Sequence, residues 1–256
     1  MTTINKQSVA VITGGSRGLG KSMALHLAER GVDSIVTYRS GSNEASDVVV
    51  AIQNRGRKAV ALQLDVGDSA GFGAFAEALK GELGRGWQRA NFDFLVNNAG
   101  VGAHASFAQT TEAQFDELMR IHLKGPFFLT QALLPLIADG GRIVNVSSGL
   151  ARFTFPGYAA YSAMKGGVEV LTRYLAKELG ARQISVNTLA PGAIETDFNG
   201  GAVRDNSELN KLVASGIALG RVGLPDDVGG ALAMLLSPES AWINGQRIEV
   251  SGGQML

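Results

Sequence analysis

The segment VAVITGGSRGLG (residues 9–20) places a short apolar run directly before a glycine-rich turn and the start of a helical pattern. Gly14, Gly18 and Gly20 permit a tight turn and let the backbone approach a pyrophosphate at the helix N-terminus. Their spacing, Gly-x-x-x-Gly-x-Gly, differs from the G-x-G-x-x-G of the standard dinucleotide fingerprint. The order of strand, turn and helix still predicts a dinucleotide site at this first βα turn.

Strand-like and helical patterns alternate along the whole chain. Short, β-branched and nearly continuous apolar runs are typical of strands that are covered on both faces. These runs occupy residues 9–13, 34–38, 59–64, 92–96, 142–147, 184–189 and 247–250. Amphipathic stretches between them predict helices over Leu19–Arg30, Glu44–Arg55, Ser69–Leu83, Glu112–Ile137, Ala160–Leu179 and Asp226–Leu236. We therefore predict one α/β domain over residues 1–256, a Rossmann-like doubly wound fold whose central, mainly seven-stranded parallel sheet is flanked by helices.

Composition limits the classes of partner. The 256 residues are 45% hydrophobic and 18% charged, an ordinary balance for a globular protein. Basic and acidic residues number 23 each, so net charge gives no reason to expect nucleic acid or an anionic membrane as a partner. The absence of cysteine excludes cysteine-based zinc sites and thiolate nucleophiles, and we predict no metal site. The N-terminus MTTINKQS lacks an apolar signal segment and no apolar run could span a bilayer, so we expect a soluble, cytoplasmic protein.

The glycine turn also fits a second motif. Residues 14–18 read G-x-S-x-G, the nucleophile elbow of α/β-hydrolases, with Ser16 in the place of the nucleophile. An elbow serine follows a central strand with other strands before it, whereas few residues precede this turn. The three histidines, His26, His104 and His122, do not lie on a late loop, where that triad needs one. A hydrolase is therefore the less favoured alternative.

The end of the second strand indicates which cofactor is used. An NAD site places an acid about 20 residues after the glycine turn, where it bonds the ribose 2′-hydroxyl. Here the sequence reads Tyr38-Arg39-Ser40, with no acid before Glu44, and Arg17 lies inside the glycine turn itself. Two guanidiniums and nearby hydroxyls suit a 2′-phosphate. We therefore predict NADP(H) rather than NAD(H).

The segment SGLARFTFPGYAAYSAMK (residues 148–165) carries the candidate chemistry. Tyr161 and Lys165 are four residues apart, so a helix would project both side chains from the same face. A neighbouring ammonium favours the phenolate, so we expect Lys165 to lower the pKa of Tyr161. Such a tyrosine can exchange a proton with a carbonyl oxygen near neutral pH, and Ser148 could hold the same oxygen.

Further motifs follow the predicted strands in order. They are Asp65-Val66 after the third strand, Asn97-Asn98-Ala99-Gly100 after the fourth, and Pro191-Gly192-x-x-x-Thr196 after the sixth. Together with the glycine turn and the set of Ser148, Tyr161 and Lys165, they make the chain resemble the classical short-chain dehydrogenase/reductase family over essentially its whole length. The 3-oxoacyl-(acyl carrier protein) reductase-like members look nearest, although that group reduces many ketones, sugars and quinones.

The resemblance implies an activity and a set of site residues. Ser148 would orient a substrate carbonyl, Tyr161 would protonate its oxygen as hydride arrives, and Lys165 would bond the nicotinamide ribose. We expect an NADP(H)-dependent oxidoreductase that acts on a small-molecule carbonyl or alcohol. The implied cofactor-binding residues are Gly14, Ser16, Arg17, Gly18, Leu19, Gly20, Tyr38, Arg39, Ser40, Asp65, Val66, Asn98, Ala99, Gly100, Tyr161, Lys165, Pro191, Gly192, Ile194 and Thr196.

One position departs from the family pattern. The helix after the Asn-Asn-Ala-Gly motif usually carries an asparagine that completes a Ser-Tyr-Lys-Asn tetrad, and here His122 takes its place. We favour a tolerated replacement, since a backbone carbonyl could still hold the water that connects to Lys165. The alternative hypothesis is that the imidazole joins the proton relay and titrates near neutrality.

The resemblance also points to the substrate pocket. The segment after Thr196 predicts a mobile substrate lid over about 193–223. Residues 102–110 and Ala151–Tyr158 should line the pocket as well, so that Phe153, Phe155 and Tyr158 give it an apolar, aromatic mouth. Arg152 could meet one carboxylate or phosphate of a substrate.

Assembly and a non-catalytic alternative follow from the family too. Members are commonly homotetramers that pair the helices equivalent to 112–137 and 160–179, so we expect a homotetramer or homodimer. A cofactor-binding sensor or scaffold without turnover is the alternative from another class. Only the altered His122 supports it, while the presence of Ser148, Tyr161 and Lys165 argues against it.

Overall fold

A computed structural model describes residues 7–256 of the chain. Residues 1–6, which hold most of the N-terminal segment judged to lack a signal pattern, lie outside the described residues. In the described part, seven strands form one parallel sheet: β1 (Val9–Ile12), β2 (Asp33–Tyr38), β3 (Ala59–Gln63), β4 (Phe92–Asn97), β5 (Ile137–Val146), β6 (Ser185–Pro191) and β7 (Arg247–Val250). Every predicted strand is present, and the predicted Rossmann-like fold class is confirmed.

The order of the strands creates a crevice at one edge of the sheet. They are arranged β3-β2-β1-β4-β5-β6-β7, so the chain first moves outward from β1 and then returns to its other side at β4. In doubly wound sheets, ligands bind outside the carboxyl ends of the strands at the point where this order reverses. The loops after β1 and β4 therefore face one another across the expected binding site.

Helices cover both faces of the sheet. Their bounds are α1 (Gly18–Glu29), α2 (Ser42–Gln53), α3 (Phe72–Glu82), α4 (Glu112–Met119), α5 (Gly125–Leu133), α6 (Ala159–Glu178), α7 (Ala202–Asp205), α8 (Ser207–Ala214) and α9 (Pro225–Leu235). Alternate residues of β1 serve the two resulting cores, since Ala10 and Ile12 pack with α1 and α9 while Val9 and Val11 pack with α3 and α5. This two-sided burial explains why the strand sequences are continuously apolar.

The helix predicted over Glu112–Ile137 is wrong as one continuous element. After α4, residues Arg120–Lys124 form a single π-type turn, α5 follows, and Leu134–Leu136 form a 3₁₀ turn before β5 begins at Ile137. Pro126 has no backbone N–H to donate to the carbonyl of His122, and an inserted π turn is one way for a helix to accommodate that loss. The interruption falls at the residue that replaces the family asparagine.

The predicted lid contains two short helices, α7 and α8, that the sequence pattern did not indicate. Asn206 separates them, and its Oδ1 accepts hydrogen bonds from the backbone N–H groups of Glu208 and Leu209 at 3.1 and 3.0 Å. This arrangement is a standard N-terminal cap. The segment predicted as a lid is therefore helical in part, and several of its residues line the cavity at the carboxyl ends of the strands.

Candidate active site

One cavity of about 620 Å³ lies at the carboxyl ends of the strands, and its walls gather nearly all of the predicted site residues. The four candidate catalytic residues line it, as does every predicted cofactor-binding residue except Gly20. Residues from the turns after β1, β2, β3, β4, β5 and β6 therefore meet in one place, although they are distant in sequence. The structure brings together what the sequence motifs predicted.

The glycine turn after β1 is a cradle of backbone atoms. Gly14 and Gly18 have φ values of +64° and +53°, which side-chain-bearing residues rarely adopt. A Cβ at Gly20 would lie 2.2 Å from the carbonyl oxygen of Gly14, so this glycine shapes the turn from behind rather than lining the cavity. The turn opens α1, whose free N–H groups favour a bound phosphate. These observations fit a dinucleotide at the turn.

The motif after β4 holds that turn in place. The backbone N–H groups of Asn98 and Ala99 donate to Thr13 Oγ1 at 2.9 and 3.0 Å. The Asn98 side chain donates to the carbonyl oxygens of Thr13 and Gly14 at 2.9 and 3.2 Å. Asn98 therefore acts in part by fixing the glycine turn across the crevice.

Two arginines border the far end of the cavity. Arg17 from the glycine turn and Arg39 from the end of β2 are exposed there, beside Tyr38 and Ser40. The amide of Gln63 donates to the carbonyl of Arg39 at 2.9 Å, which fixes the backbone of that loop. Neither guanidinium forms an ion pair within the described residues, so both remain available to a phosphate.

Ser148, Tyr161 and Lys165 converge at the other end of the cavity. Tyr161 and Lys165 lie one turn apart on α6, and both side chains are buried. The Lys165 ammonium donates to the carbonyl of Val146 at 2.7 Å and lies 5.6 Å from the centre of the Tyr161 ring. Ser148 and Tyr161 both line this end of the cavity, and interaction with the Ser148 hydroxyl favours ionisation of Tyr161. This is the proximity that proton transfer to a substrate oxygen held by both hydroxyls requires.

The protonation of this pair differs from the sequence-based expectation. Burial raises the pKa of Tyr161 above its ordinary value, and the hydrogen bond from Ser148 offsets this only in part. Burial also lowers the pKa of Lys165 to about 8. The expected lowering of the Tyr161 pKa by Lys165 is therefore not observed, because desolvation of the phenolate dominates and the ammonium is directed at the carbonyl of Val146.

His122 lies against Tyr161, the candidate proton donor. Its side chain is buried, and its ring meets that of Tyr161 edge-on with centres 5.1 Å apart. Nε2 is 2.7 Å from the carbonyl oxygen of Val101, so we assign the proton to Nε2. Nδ1 has no hydrogen-bond partner within residues 7–256. Burial, followed by the charge of Lys165, lowers the pKa of His122 to about 3, and the ring is therefore neutral at physiological pH.

The remaining wall forms an aromatic mouth, as predicted. Phe153, Phe155 and Tyr158 line it, and Phe198 from the lid lies with its ring centre 5.8 Å from that of Tyr161. The Asn199 amide donates to the Tyr158 hydroxyl at 3.1 Å and so connects the lid to the opposite wall. A Cβ at Gly102 would lie 1.6 Å from Asn199 Oδ1, so only glycine there lets the lid approach this closely.

Comparison with known proteins agrees with this geometry. The family model described as enoyl-(acyl carrier protein) reductase matches residues 14–255. The hydroxynaphthalene reductase-like protein Arp2 of Metarhizium brunneum is 35% identical over 259 residues, which cover 96% of this chain and 94% of that protein. The chain belongs to the short-chain dehydrogenase/reductase family. It is therefore an oxidoreductase.

Two solved structures of related reductases are similar over nearly the whole chain. The promiscuous reductase LugOII, described as catalysing keto-reduction at C1 during lugdunomycin biosynthesis, aligns with a TM-score of 0.92 at 35% identity, covering 97% of this chain and 98% of that one. The angucycline C-6 ketoreductase LanV, solved with bound NADP, also gives a TM-score of 0.92, at 33% identity, and the alignment covers 97% and 95% of the two chains. The short-chain dehydrogenase/reductase fold thus extends from end to end of the described residues.

Family membership disfavours the hydrolase alternative, and the geometry agrees. No hydrogen bond joins Ser16 to any of the three histidines in the part of the chain that the structure describes: His26 pairs with Glu29 and Asp226, His104 packs on Tyr158, and His122 bonds Val101. Residues 7–256 also contain no cluster of side chains suited to a metal ion and no helix long and apolar enough to cross a membrane.

Some residues that line this cavity were not singled out by any motif in the sequence. Leu209 and Val213 line the cavity from the lid helix α8, and Gln254 enters from the C-terminal segment, where its side-chain oxygen accepts from the backbone N–H of Ala193 at 2.9 Å. Of the segment 102–110, only Gly102 lines the cavity. Arg152 does not line it either, because its guanidinium pairs with Glu249. None of these contacts leaves a local signal in the sequence.

We expect His122→Asn to leave the shape of the pH–rate profile unchanged between pH 5 and pH 9. With a pKa lowered to about 3, the imidazole carries no charge throughout this range and contributes no inflection. The measurement is kcat and kcat/KM against pH for both proteins. An inflection near neutrality in the parent enzyme that disappears in His122→Asn would restore the relay hypothesis and contradict the tolerated-replacement interpretation.

Proposed function

We propose that the protein is an NADP(H)-dependent ketoreductase that works by a Ser-Tyr-Lys mechanism. The observation that carries the proposal is the cavity itself: Ser148, Tyr161 and Lys165 line one end of it. Arg17 and Arg39, which form no ion pair within residues 7–256, border the other end. LanV, solved with bound NADP, supports the choice of cofactor by its similarity. Turnover with NADPH that disappears in Tyr161→Phe is the direct test.

The residues fit the proposed cofactor along the whole cavity. The glycine turn would hold the pyrophosphate, Arg17 and Arg39 the 2′-phosphate, and Lys165 the nicotinamide ribose. Asp65 and Val66, which the family pattern assigns to the adenine, line the same cavity. When bound, the cofactor supplies the hydride that reduces the substrate carbonyl.

The chain's own residues supply orientation and a proton. Ser148 donates a hydrogen bond to the carbonyl oxygen and fixes its direction. Tyr161 transfers its proton to the same oxygen, which becomes the hydroxyl of a secondary alcohol. A phenol whose pKa is raised by burial holds this proton at neutral pH until negative charge develops on the carbonyl oxygen. The lid, connected to Tyr158 through Asn199, restricts access of water to this exchange.

We infer that the substrate is an uncharged, flat, fused-ring aromatic ketone. Aromatic rings line the mouth, and the nearby Arg152 is occupied by Glu249 rather than free for an anionic group. Rings of this kind stack on flat apolar surfaces. The names of the relatives, a hydroxynaphthalene reductase-like protein and an angucycline ketoreductase, support the same class.

We expect kcat/KM for 2-tetralone, a bicyclic aromatic ketone, to exceed that for cyclohexanone by about 10-fold or more. The additional ring buries apolar carbons that are worth roughly 0.8 kcal/mol for each fully buried methylene-sized group. Phe198→Ala should reduce this preference, and Trp242→Ala, which removes an exposed ring outside the cavity, should preserve it. Equal kcat/KM for the two ketones would contradict the aromatic substrate class.

The structure also bears on the non-catalytic alternative and on the number of domains. Convergence of Ser148, Tyr161 and Lys165 in one cavity supports an enzyme over a non-catalytic sensor or scaffold. A single sheet built from strands across the chain supports a single domain.

We propose that the protein assembles as a homotetramer or homodimer. Exposed apolar side chains on α4, α5 and α6 support this assembly: Phe115, Phe127, Phe128 and Tyr174. A cytoplasmic location stays a prediction.

A further inference from the structure

Four charged side chains form a connected network beneath the catalytic serine. They are Glu169 on α6, Arg247 and Glu249 on β7, and Arg152 in the loop after β5, and we call them the serine-support network. The two arginines and two carboxylates balance in charge. Glu169, Arg247 and Glu249 are partly buried, which reduces the solvent screening that weakens exposed ion pairs, whereas Arg152 is exposed.

Arg247 is the central member. Its Nε donates to Glu169 at 2.8 Å and one terminal nitrogen donates to Glu249 at 2.7 Å. The other terminal nitrogen donates to the main-chain carbonyl of Ser148 at 3.2 Å. The planar guanidinium thus connects a helix, a strand and the catalytic loop, an arrangement that a single ammonium cannot reproduce.

The network also holds the residue before the catalytic serine. Ser147 Oγ donates to Glu169 Oε1 at 2.7 Å, and this is the carboxylate oxygen that Arg247 Nε contacts. Glu169 lies one helical turn after Lys165, so its position is fixed by the element that carries Tyr161 and Lys165. The backbone at Ser147 and Ser148 is therefore tied to the catalytic helix through side chains as well as through the sheet.

Arg152 secures the far end of the same loop. It makes a two-pronged pair with Glu249, with both contacts at 2.7 Å, and donates to the carbonyl of Gln254 at 2.6 Å. Bonds from Arg152, Arg247 and Ser251 lower the pKa of Glu249 to about 2, so the Glu249 carboxylate remains charged at neutral pH. Residues Ser148–Arg152 are thus held at one end by the Arg247 guanidinium and at the other by the Glu249 carboxylate.

We propose that Arg247 is a positioning residue for ketone reduction, which fixes the Ser148 hydroxyl relative to Tyr161 through the Ser148 carbonyl and the Glu169–Ser147 bond. The proposal rests on the proposed function. Arg247 lies outside the cavity and acts only through the catalytic serine. Because small displacements of an orienting group cost up to about 10²-fold in rate, loss of this support is measurable.

The first test is a double-mutant cycle with Arg247→Lys and Ser148→Ala. We expect Arg247→Lys to lower kcat about 10-fold in the parent enzyme and less than about 2-fold in the Ser148→Ala background, since no serine hydroxyl remains to be positioned there. An equal loss in both backgrounds, or no loss in the parent, overturns the proposal. Single-turnover assays at high enzyme concentration keep the slow variants measurable.

Arg182→Lys is the matched control. Arg182 also pairs with a carboxylate, Asp139, and donates to main-chain carbonyls, but at the other end of β5, away from the site. This variant should lower the thermal midpoint by an amount similar to Arg247→Lys while leaving kcat unchanged. If Arg247→Lys is unfolded at the assay temperature, Glu169→Gln replaces it in the cycle. The glutamine amide oxygen can still accept the hydrogen bond from Ser147, but the negative charge that pairs with Arg247 is removed.

Amide hydrogen exchange separates failure of this proposal from failure of the proposed function. We expect exchange at residues 148–152 to be at least about 10-fold faster in Arg247→Lys than in the parent, with β1 and the glycine turn unchanged. If the parent enzyme reduces no ketone, the proposed function fails, and unchanged exchange at 148–152 would then overturn the positioning role as well. Faster exchange confined to this loop would support it independently of turnover.

Discussion

Replacing Tyr161 with phenylalanine is expected to lower kcat for ketone reduction by about 10³-fold, within the range that positioned general acids contribute. The substitution removes the phenol that shares the cavity with the Ser148 hydroxyl. Phenylalanine preserves the ring that packs against His122 and Phe198, so fold and cofactor binding should be retained. The measurement is single-turnover reduction of 2-tetralone, with the NADPH dissociation constant determined in parallel.

Tyr158→Phe provides the matched control for this experiment. Tyr158 lies three residues earlier, lines the same cavity and loses the same oxygen atom on substitution. Its hydroxyl accepts a bond from Asn199 in the lid, so we expect a loss of less than about 10-fold, expressed mainly in KM. If Tyr161→Phe retained more than a tenth of the parent kcat, or if both variants lost activity equally, Tyr161 would not be the proton donor.

The fold was predictable because each strand carries its own local pattern. Runs such as VAVIT and FDFLV are buried on both faces, and the two-sided cores around β1 account for their continuous apolar character. The helix over Glu112–Ile137 was less predictable. Apolar periodicity continues through Pro126, and nothing local shows whether a proline will bend, interrupt or end a helix. Ile137 belongs to the sheet because it pairs with Phe92 of β4. This pairing joins residues far apart in the sequence, so no local pattern predicts it.

Most residues that line the cavity could be predicted from the sequence because they occur in short motifs at the ends of strands. Parallel strands bring those ends to one edge, so correct assignment of strands places the motifs together. The pKa of Tyr161 was not predictable from the spacing of Tyr161 and Lys165, because burial outweighs the neighbouring ammonium. The serine-support network was invisible for a related reason. Glu169, Arg247 and Ser148 lie far apart in the sequence, and charged residues at those positions look like ordinary surface residues.

The second large effect is expected at the opposite end of the cavity. Replacing both Arg17 and Arg39 with alanine should raise the NADPH dissociation constant about 10²-fold and leave that for NADH nearly unchanged. Hydrogen bonds to charged groups are worth about 1.5 kcal/mol or more, which corresponds to about 10-fold for each exposed arginine. The two side chains come from separate turns, so their contributions should be nearly additive. Direct titration of both cofactors at constant ionic strength measures the change.

Arg55→Ala tests whether the effect depends on position rather than on total charge. Arg55 lies just past the far end of α2 and contacts Glu29, so removing it changes the net charge without reaching the cavity. This variant should bind NADPH and NADH as the parent does. Equal weakening of both cofactors in the double variant would place Arg17 and Arg39 against the pyrophosphate shared by the two dinucleotides. Because only NADPH carries the 2′-phosphate, the ratio of the two dissociation constants decides which group these arginines bind.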